Sequence, residues 1–219
     1  MAMIHYEGEL GVFDYDDKEF EITDYYNEAY QGQHLHYIGH EPDGSRIKIP
    51  DGIKNGYLLF GGCESLKEAP AIPKGIESCS CMFFDCTSLE KPPIIPESVS
   101  DCSYMFFNCT SLKLPPVIPE GVKDCDIMFD QCISLEKPPE IPENVGNCDW
   151  MFRGCESLEK SPIFPENAQI LYIDEVFEGC SKEVQIAGDW NIRHRGKDYY
   201  IDGPNNSVQN DIDEVEERE

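Results

Sequence analysis

One column of prolines, Pro50, Pro73, Pro96, Pro119, Pro142 and Pro165, recurs at a constant step of 23 residues. Five further columns keep that register: Leu66 to Leu158, Ser65 to Ser157, Phe60 to Phe152, Cys63 to Cys155, and Cys79 to Cys148. A period held without insertion requires each unit to sit on the last in the same orientation. The chain is therefore expected to be a repeat solenoid of about six 23-residue units over residues 44–183. At the usual spacing of paired strands, about 4.8 Å, six units make a rod roughly 25–30 Å long.

Within a unit, "MFFNCTSLKLPPVIPEGVKDC" shows neither a sustained helical period nor a long alternation. Each coil is expected to hold a short strand with tight turns or a single helical turn, so the fold class is mainly β with short helical turns. Paired prolines such as Pro92-Pro93 and Pro115-Pro116 forbid helix and remove ladder donors, which keeps that side extended and irregular. Gly75, Gly121 and Asn144 follow the Ile-Pro step, where the chain must turn. The recurring Met, Phe, Cys, Leu and Ile are expected to point inward, each stacked on its own copy in the next coil.

Eleven cysteines invite a disulfide or metal reading. A ladder of like positions gives no reason to bridge one rung rather than its neighbour, and the two columns lack the close C-x2-4-C pairing of zinc hairpins. A small thiol suits the inside of a tight coil. The cluster "HLHYIGH" places His34 and His36 on one face of a strand, with His40 nearby, but the sequence supplies no third ligand. A site around His34, His36 and Glu41 is the one catalytic candidate. No phosphate loop, nucleophile elbow or HExxH motif is present, so no enzyme activity, cofactor or metal is expected.

Residues 1–43 break the repeat and read as an acidic β cap, with strands around a turn at Asp16-Asp17 followed by "HLHYIGH". After residue 152 the register slips, Phe152 to Phe177 and Cys155 to Cys180 each spanning 25 residues. Residues 184–210 read as a capping hairpin with "RHRGK" at its turn, and residues 211–219 as an acidic tail. The formal net charge is -26, and residues 1–43 carry 11 acidic residues against 1 basic. Such a charge argues against direct nucleic-acid or anionic-membrane binding and for a protein partner with a basic surface. The N-terminal residues lack the pattern of a signal peptide, and no apolar run is long enough to cross a bilayer, so a cytoplasmic location is expected.

Two columns are candidate partner-binding features. Glu97, Glu120, Glu143 and Glu166 stack acidic residues after the Ile-Pro step, either for docking or to keep a rod soluble. Leu58, Cys81, Tyr104, Ile127 and Trp150 stay apolar while changing identity, as a core edge does, or as an exposed stripe would with Tyr104 and Trp150 as anchors.

The unit "SLEKPPIIPESVSDCSYMFFNC" resembles the BspA-type leucine-rich repeat, with its Ser-Leu start, Ile-Pro step, following Val and aromatic-then-Cys close. The "V...MF..C.SL" portion is similar to the related repeat family of mycoplasma surface proteins. The resemblance implies a right-handed leucine-rich-repeat coil used for binding proteins and no catalytic residues. The functional expectation is a non-enzymatic protein-binding module docking on a basic partner, in its sharper form a nucleic-acid mimic inhibiting a DNA- or RNA-binding host-defence enzyme. The alternative is a bacterial surface or secreted adhesin, the role in which members of these families are often found.

Overall fold

A computed structural model describes residues 3–8, 10–23, 34–164, 176–181, 191–195 and 198–202. Its repeat units are joined by one alternating backbone pattern. The amides of Cys79, Cys81, Phe83 and Asp85 donate to the carbonyls of Asp101, Ser103, Met105 and Phe107 in the next unit, at 2.8, 2.9, 3.0 and 2.9 Å. The intervening amides of Met82, Phe84 and Cys86 close turns on the carbonyls three residues back, at 3.0, 3.0 and 3.1 Å. Cys102 to Cys109 and Cys125 to Cys132 repeat the arrangement. Every second amide thus holds units together while its neighbours hold the turn, and buried backbone donors are satisfied without a helix or a sheet.

Two residues per unit in the left-handed region make this path. One set is Leu58, Cys81, Tyr104, Ile127 and Trp150, with φ between 48° and 57°; the other is Gly62, Asp85, Asn108, Gln131 and Gly154. Glycine, Asp and Asn tolerate such backbone, whereas Ile and Trp pay about 1–2 kcal/mol for it. The inter-unit hydrogen bonds hold these residues in place.

The expected short strand per coil is reduced to single parallel bridges, Ser78↔Asp101, Asp101↔Asp124 and Asp124↔Asn147 at one corner and Glu68↔Lys91 at another. The alternating turns and the prolines explain this: neither leaves the run of consecutive extended donors that a strand needs.

Inside the stack, like side chains meet like. Phe60, Phe83, Phe106, Phe129, Phe152 and Phe177 form one column with ring centroids 5.4, 5.7, 5.7, 5.9 and 6.0 Å apart and planes within 14° of parallel. The slipped register between Phe152 and Phe177 is absorbed without breaking the column, and Phe164 packs on both rings. All the cysteines but Cys81, which stands in the left-handed column, hold two positions. Cys79, Cys102, Cys125 and Cys148 are wholly buried core thiols. The other column donates: the thiols of Cys86, Cys109, Cys132, Cys155 and Cys180 reach the carbonyls of Phe60, Phe83, Phe106, Phe129 and Phe152 at 3.1–3.2 Å. All eleven cysteines are free thiols. Burial raises the pKa of the Cys86 and Cys109 thiols, which keeps their donor proton in place.

The described N-terminal residues form two antiparallel strand pairs, with a turn after Asp16 between the second and third strands as expected. β1 (Met3–Gly8) pairs antiparallel with β2 (Gly11–Asp16), and β3 (Phe20–Thr23) pairs instead with β4 (His34–Tyr37). Asp16 does anchor a turn, its carboxylate accepting from the Lys18 amide at 3.0 Å, but the chain leaves that turn for another sheet. Gly11, at φ 131°, lies against the Gly52 backbone, and only the absence of a side chain at both lets β2 bridge to Ile53. β4 stands where a preceding unit would: the Tyr37 amide donates to the Leu59 carbonyl at 2.8 Å, and the Tyr37 ring extends the phenylalanine column at 5.3 Å from Phe60. Near the other end, β5 (Asn191–Arg195) and β6 (Asp198–Asp202) pair antiparallel, while Gly196 and Lys197 of "RHRGK" lie outside the described residues. The acidic tail lies outside the described residues.

A polar column runs beside the core thiols. Ser103 donates to Asp101 at 2.7 Å and its hydroxyl lies 3.0 Å from that of Ser80, and Ser78 donates to Asp101 at 2.9 Å. Two units later the hydroxyls give way to carboxylates, Asp126 and Asp149 replacing Ser80 and Ser103, and Asp126 Oδ1 is buried without a hydrogen-bond partner. Burial, with the charges of Asp124 and Asp149, raises the Asp126 pKa to about 7.

Iodoacetamide at mildly alkaline pH is expected to modify the half-exposed Cys63 first, and Cys109→Ala to lower stability by about 1–3 kcal/mol by removing buried volume and a donor, read as a urea midpoint. Asp126 binds its proton more tightly folded than unfolded, so stability falls as pH rises from about 4 to about 7. Asp126→Asn is expected to flatten that fall by about 1–2 kcal/mol, allowing for partial solvent screening, when urea midpoints at about pH 5 and pH 8 are compared.

Candidate docking face

The proline-rich side of each unit is an extended run that alternates inward and outward. Pro93, Ile95 and their counterparts Pro116 and Ile118 are buried, while the residue between each pair points away from the core. That outward column is Ala71, Ile94, Val117, Glu140 and Ile163; Ile94, Val117 and Ile163 are 90, 86 and 74% exposed. Sequence reasoning missed it, having taken the proline side as irregular. The signal was available as the x of the recurring P-P-x-I-P, whose neighbours on both sides belong to the core.

Charged columns flank it. Three residues earlier stand Glu68, Lys91, Leu114, Lys137 and Lys160, and three residues later Lys74, Glu97, Glu120 and Glu143, all exposed except the partly buried Glu68. Three residues of extended chain span about 10 Å, so from Ile94 onward the outward column has a mainly basic margin on one side and an acidic margin on the other, whereas at Ala71 the two signs are reversed. The Lys91 ammonium pairs with Glu68 at 2.7 Å, fixing that margin to the preceding unit. The turn carrying the glutamates is stitched by its own polar side chains: Ser98 donates to the Ile76 carbonyl at 2.7 Å and Asn144 to the Glu120 carbonyl at 3.0 Å. Glu166, the fourth candidate of the acidic column, lies outside the described residues.

Tyr104 and Trp150 stand on the compact segment of the unit. Both are half-buried, whereas Cys81 and Ile127 of the same column are buried. The Tyr104 ring packs tilted at 6.4 Å from Phe107, and the Arg153 guanidinium lies 6.0 Å over the Trp150 ring. Arg153 also grips the buried Asp130 carboxylate in a fork, its Nε at 3.2 and 3.1 Å from the two oxygens and Nη2 at 2.5 Å. Trp150 therefore lies against a structural ion pair that joins two units.

In β4, His34 is buried and burial, with His36 beside it, lowers its pKa. The two rings meet edge-on at 6.4 Å, and His36 Nδ1 lies 3.4 Å from the Leu58 carbonyl, while His40 is exposed. Among the described residues no group of three or more His, Cys, Asp or Glu is arranged to hold a metal ion, and no helix is long and apolar enough to cross a membrane.

The model of the BspA type leucine-rich repeat region matches residues 43–159 in six copies. Two solved structures resemble the chain. A leucine-rich repeat protein of T. pallidum is 21% identical with a TM-score of 0.44, the match covering 68% of this chain and 84% of that one. A leucine-rich repeat protein from Bacteroides ovatus is 23% identical with a TM-score of 0.43, the match covering 71% of this chain and 49% of that one. No curated protein sequence matches the chain. With six copies of the repeat filling more than half its length, the chain belongs to the BspA-type leucine-rich repeat family.

Proposed function

We propose that this chain is a protein-binding module: a right-handed solenoid with β-rich ends whose proline-side face docks on a partner protein with a basic surface. The observation that carries the reading is the adjacent exposed pair Ile94 and Val117, with exposed Leu114 beside them; Glu140 separates this patch from the exposed Ile163. β-branched apolar side chains held almost wholly in water at one repeated position cost solubility and add nothing to the core. Such a patch with charged margins has the composition of an interface, with a dry centre and a polar rim. Glu97, Glu120 and Glu143 supply a rim charge that steers a basic partner, and the net charge of -26 extends that field over the whole molecule. In the sharper form of the reading, the stacked glutamates present regularly spaced negative charge as a phosphate backbone does, and the partner is a DNA- or RNA-binding enzyme that the module inhibits.

Affinity purification from the native host tests both forms. The double variant Ile94→Glu/Val117→Glu is expected to keep the wild-type urea midpoint to within about 0.5 kcal/mol, because the replaced side chains are exposed. It is expected to lose the partner, and the wild-type complex to weaken as salt is raised. A partner retained by the double variant, or held equally at high salt, would overturn the reading. A captured basic protein that still binds nucleic acid in the complex would remove the mimicry while leaving the docking face intact.

A further inference from the structure

β1 is bonded along one edge only: among the described residues it pairs with β2 and with no other strand. The far edge of that hairpin is tied to the first repeat unit, where the Lys54 amide donates to the Leu10 carbonyl at 2.5 Å and Gly11 bridges to Ile53. Bonding direction alternates along a strand, so Gly11, Phe13 and Tyr15 turn toward β1, where they face Gly8, Tyr6 and Ile4. Met3, His5 and Glu7 therefore direct their N–H and C=O groups away from β2, and all three residues are exposed.

Sheets ordinarily guard such an edge with lysine, proline, a bulge or a covering segment. β1, Met-Ile-His-Tyr-Glu-Gly, has no lysine or proline, and its one-to-one register with β2 leaves no bulge. The core also stops short of it. On the face turned inward, Phe13 and Tyr15 of β2 are buried, while Ile4 beside them is 37% exposed and Tyr6, stacked on Phe13 at 5.0 Å, is half-buried. The opposite face carries His5, Glu7, Asp14 and Asp16 among the exposed Met3 and Val12, with His5 Nδ1 already 3.0 Å from Asp14.

We infer that β1 accepts an added strand: an extended segment of a partner protein, in which apolar and basic residues alternate, pairs along its outer edge. The backbone groups of Met3, His5 and Glu7 supply the pairing and the two faces supply the choice of partner. Residues of the segment beside Ile4 and Tyr6 extend the apolar face, and those beside His5 and Glu7 meet the acidic one. A second copy of this chain is a poor occupant, because residues 1–43 carry 11 acidic residues against 1 basic and would meet their own charge. The basic character of the segment rests on the proposed docking on a basic protein; the strand pairing does not, and it uses none of the proline-side residues.

The test uses the intact chain and capped heptapeptides in which lysine and valine alternate, with a glutamate-valine peptide as control. At saturating lysine-valine peptide, amide exchange followed by NMR is expected to slow about tenfold or more at His5 and Glu7, and to change less than about twofold at Ile4 and Tyr6, which already bond to β2. The glutamate-valine peptide is expected not to bind. N-methylation separates pairing from charge attraction: methyl groups on the lysine amides block antiparallel addition and those on the valine amides block parallel addition, so one set abolishes binding and the other keeps it. His5→Pro removes an outward donor and no bond to β2, and is expected to abolish the slowing at Glu7. Glu7→Lys, at an exposed position, is expected to weaken the peptide and serves if the proline variant does not fold. Ile94→Glu/Val117→Glu is expected to bind the peptide at least as well as the wild type. Unchanged exchange at His5 and Glu7, or equal behaviour of the two methylated peptides, would overturn strand addition and leave the proline-side docking standing. Equal binding of the lysine and glutamate peptides would overturn the basic character of the added strand. Loss of the peptide by Ile94→Glu/Val117→Glu would place it on the proline side, overturning the β1 site and supporting the docking face.

Discussion

The structure depends on a division of labour among backbone amides. Between residues 79 and 86 every second N–H bonds to the next unit and the ones between close local turns. Neither half suffices alone, since turns without the cross-unit bonds would be isolated loops, and cross-unit bonds without the turns would leave buried donors unpaired. Because the cross-unit bonds advance by a fixed number of residues, they favour the 23-residue step kept from Phe60 to Phe152; the 25-residue step to Phe177 still keeps the ring column and a cross-unit bond, from the Gly154 amide to the Glu178 carbonyl at 2.6 Å.

The side chains follow from this frame. Parallel phenylalanines fall about 5.4–6.0 Å apart because the backbone sets their separation. The cysteine column works for a reason that size and polarity alone do not give. Each phenylalanine carbonyl already accepts one local amide, and a thiol from the next unit reaches its remaining lone pair. Serine would be shorter and more costly to bury; alanine or valine would leave that lone pair empty. The left-handed positions carry the opposite message. At Ile127 and Trp150 the frame imposes a conformation that these residues disfavour, so the bonds between units are strong enough to override local preference.

Much of this was legible in the sequence, because identical residues at a constant step can only be a stack, and the Phe, Leu and Cys columns read directly as core. Less legible were positions where identity varies while geometry does not. The column through Tyr104 and Trp150 reads as an apolar edge, yet its common property is a backbone angle, which no side-chain pattern announces. The outward column Ile94, Val117, Glu140 and Ile163 was hidden among inward residues of the same chemistry, since apolar character alone does not say which way a side chain points. The N-terminal strands were recognisable by alternation, but their pairing was not: β3 pairs with β4, the strand that bonds to the first repeat unit through the Tyr37 amide.

Native-state hydrogen exchange tests the stacking most directly, because it reads the cross-unit bonds one amide at a time. The amides of Phe83, Phe106 and Phe129 are predicted to exchange only through global unfolding and at a common free energy, as members of one cooperative stack. If these three amides exchanged at rates near those of an unfolded chain while the protein remained folded, the units could not be joined in this way.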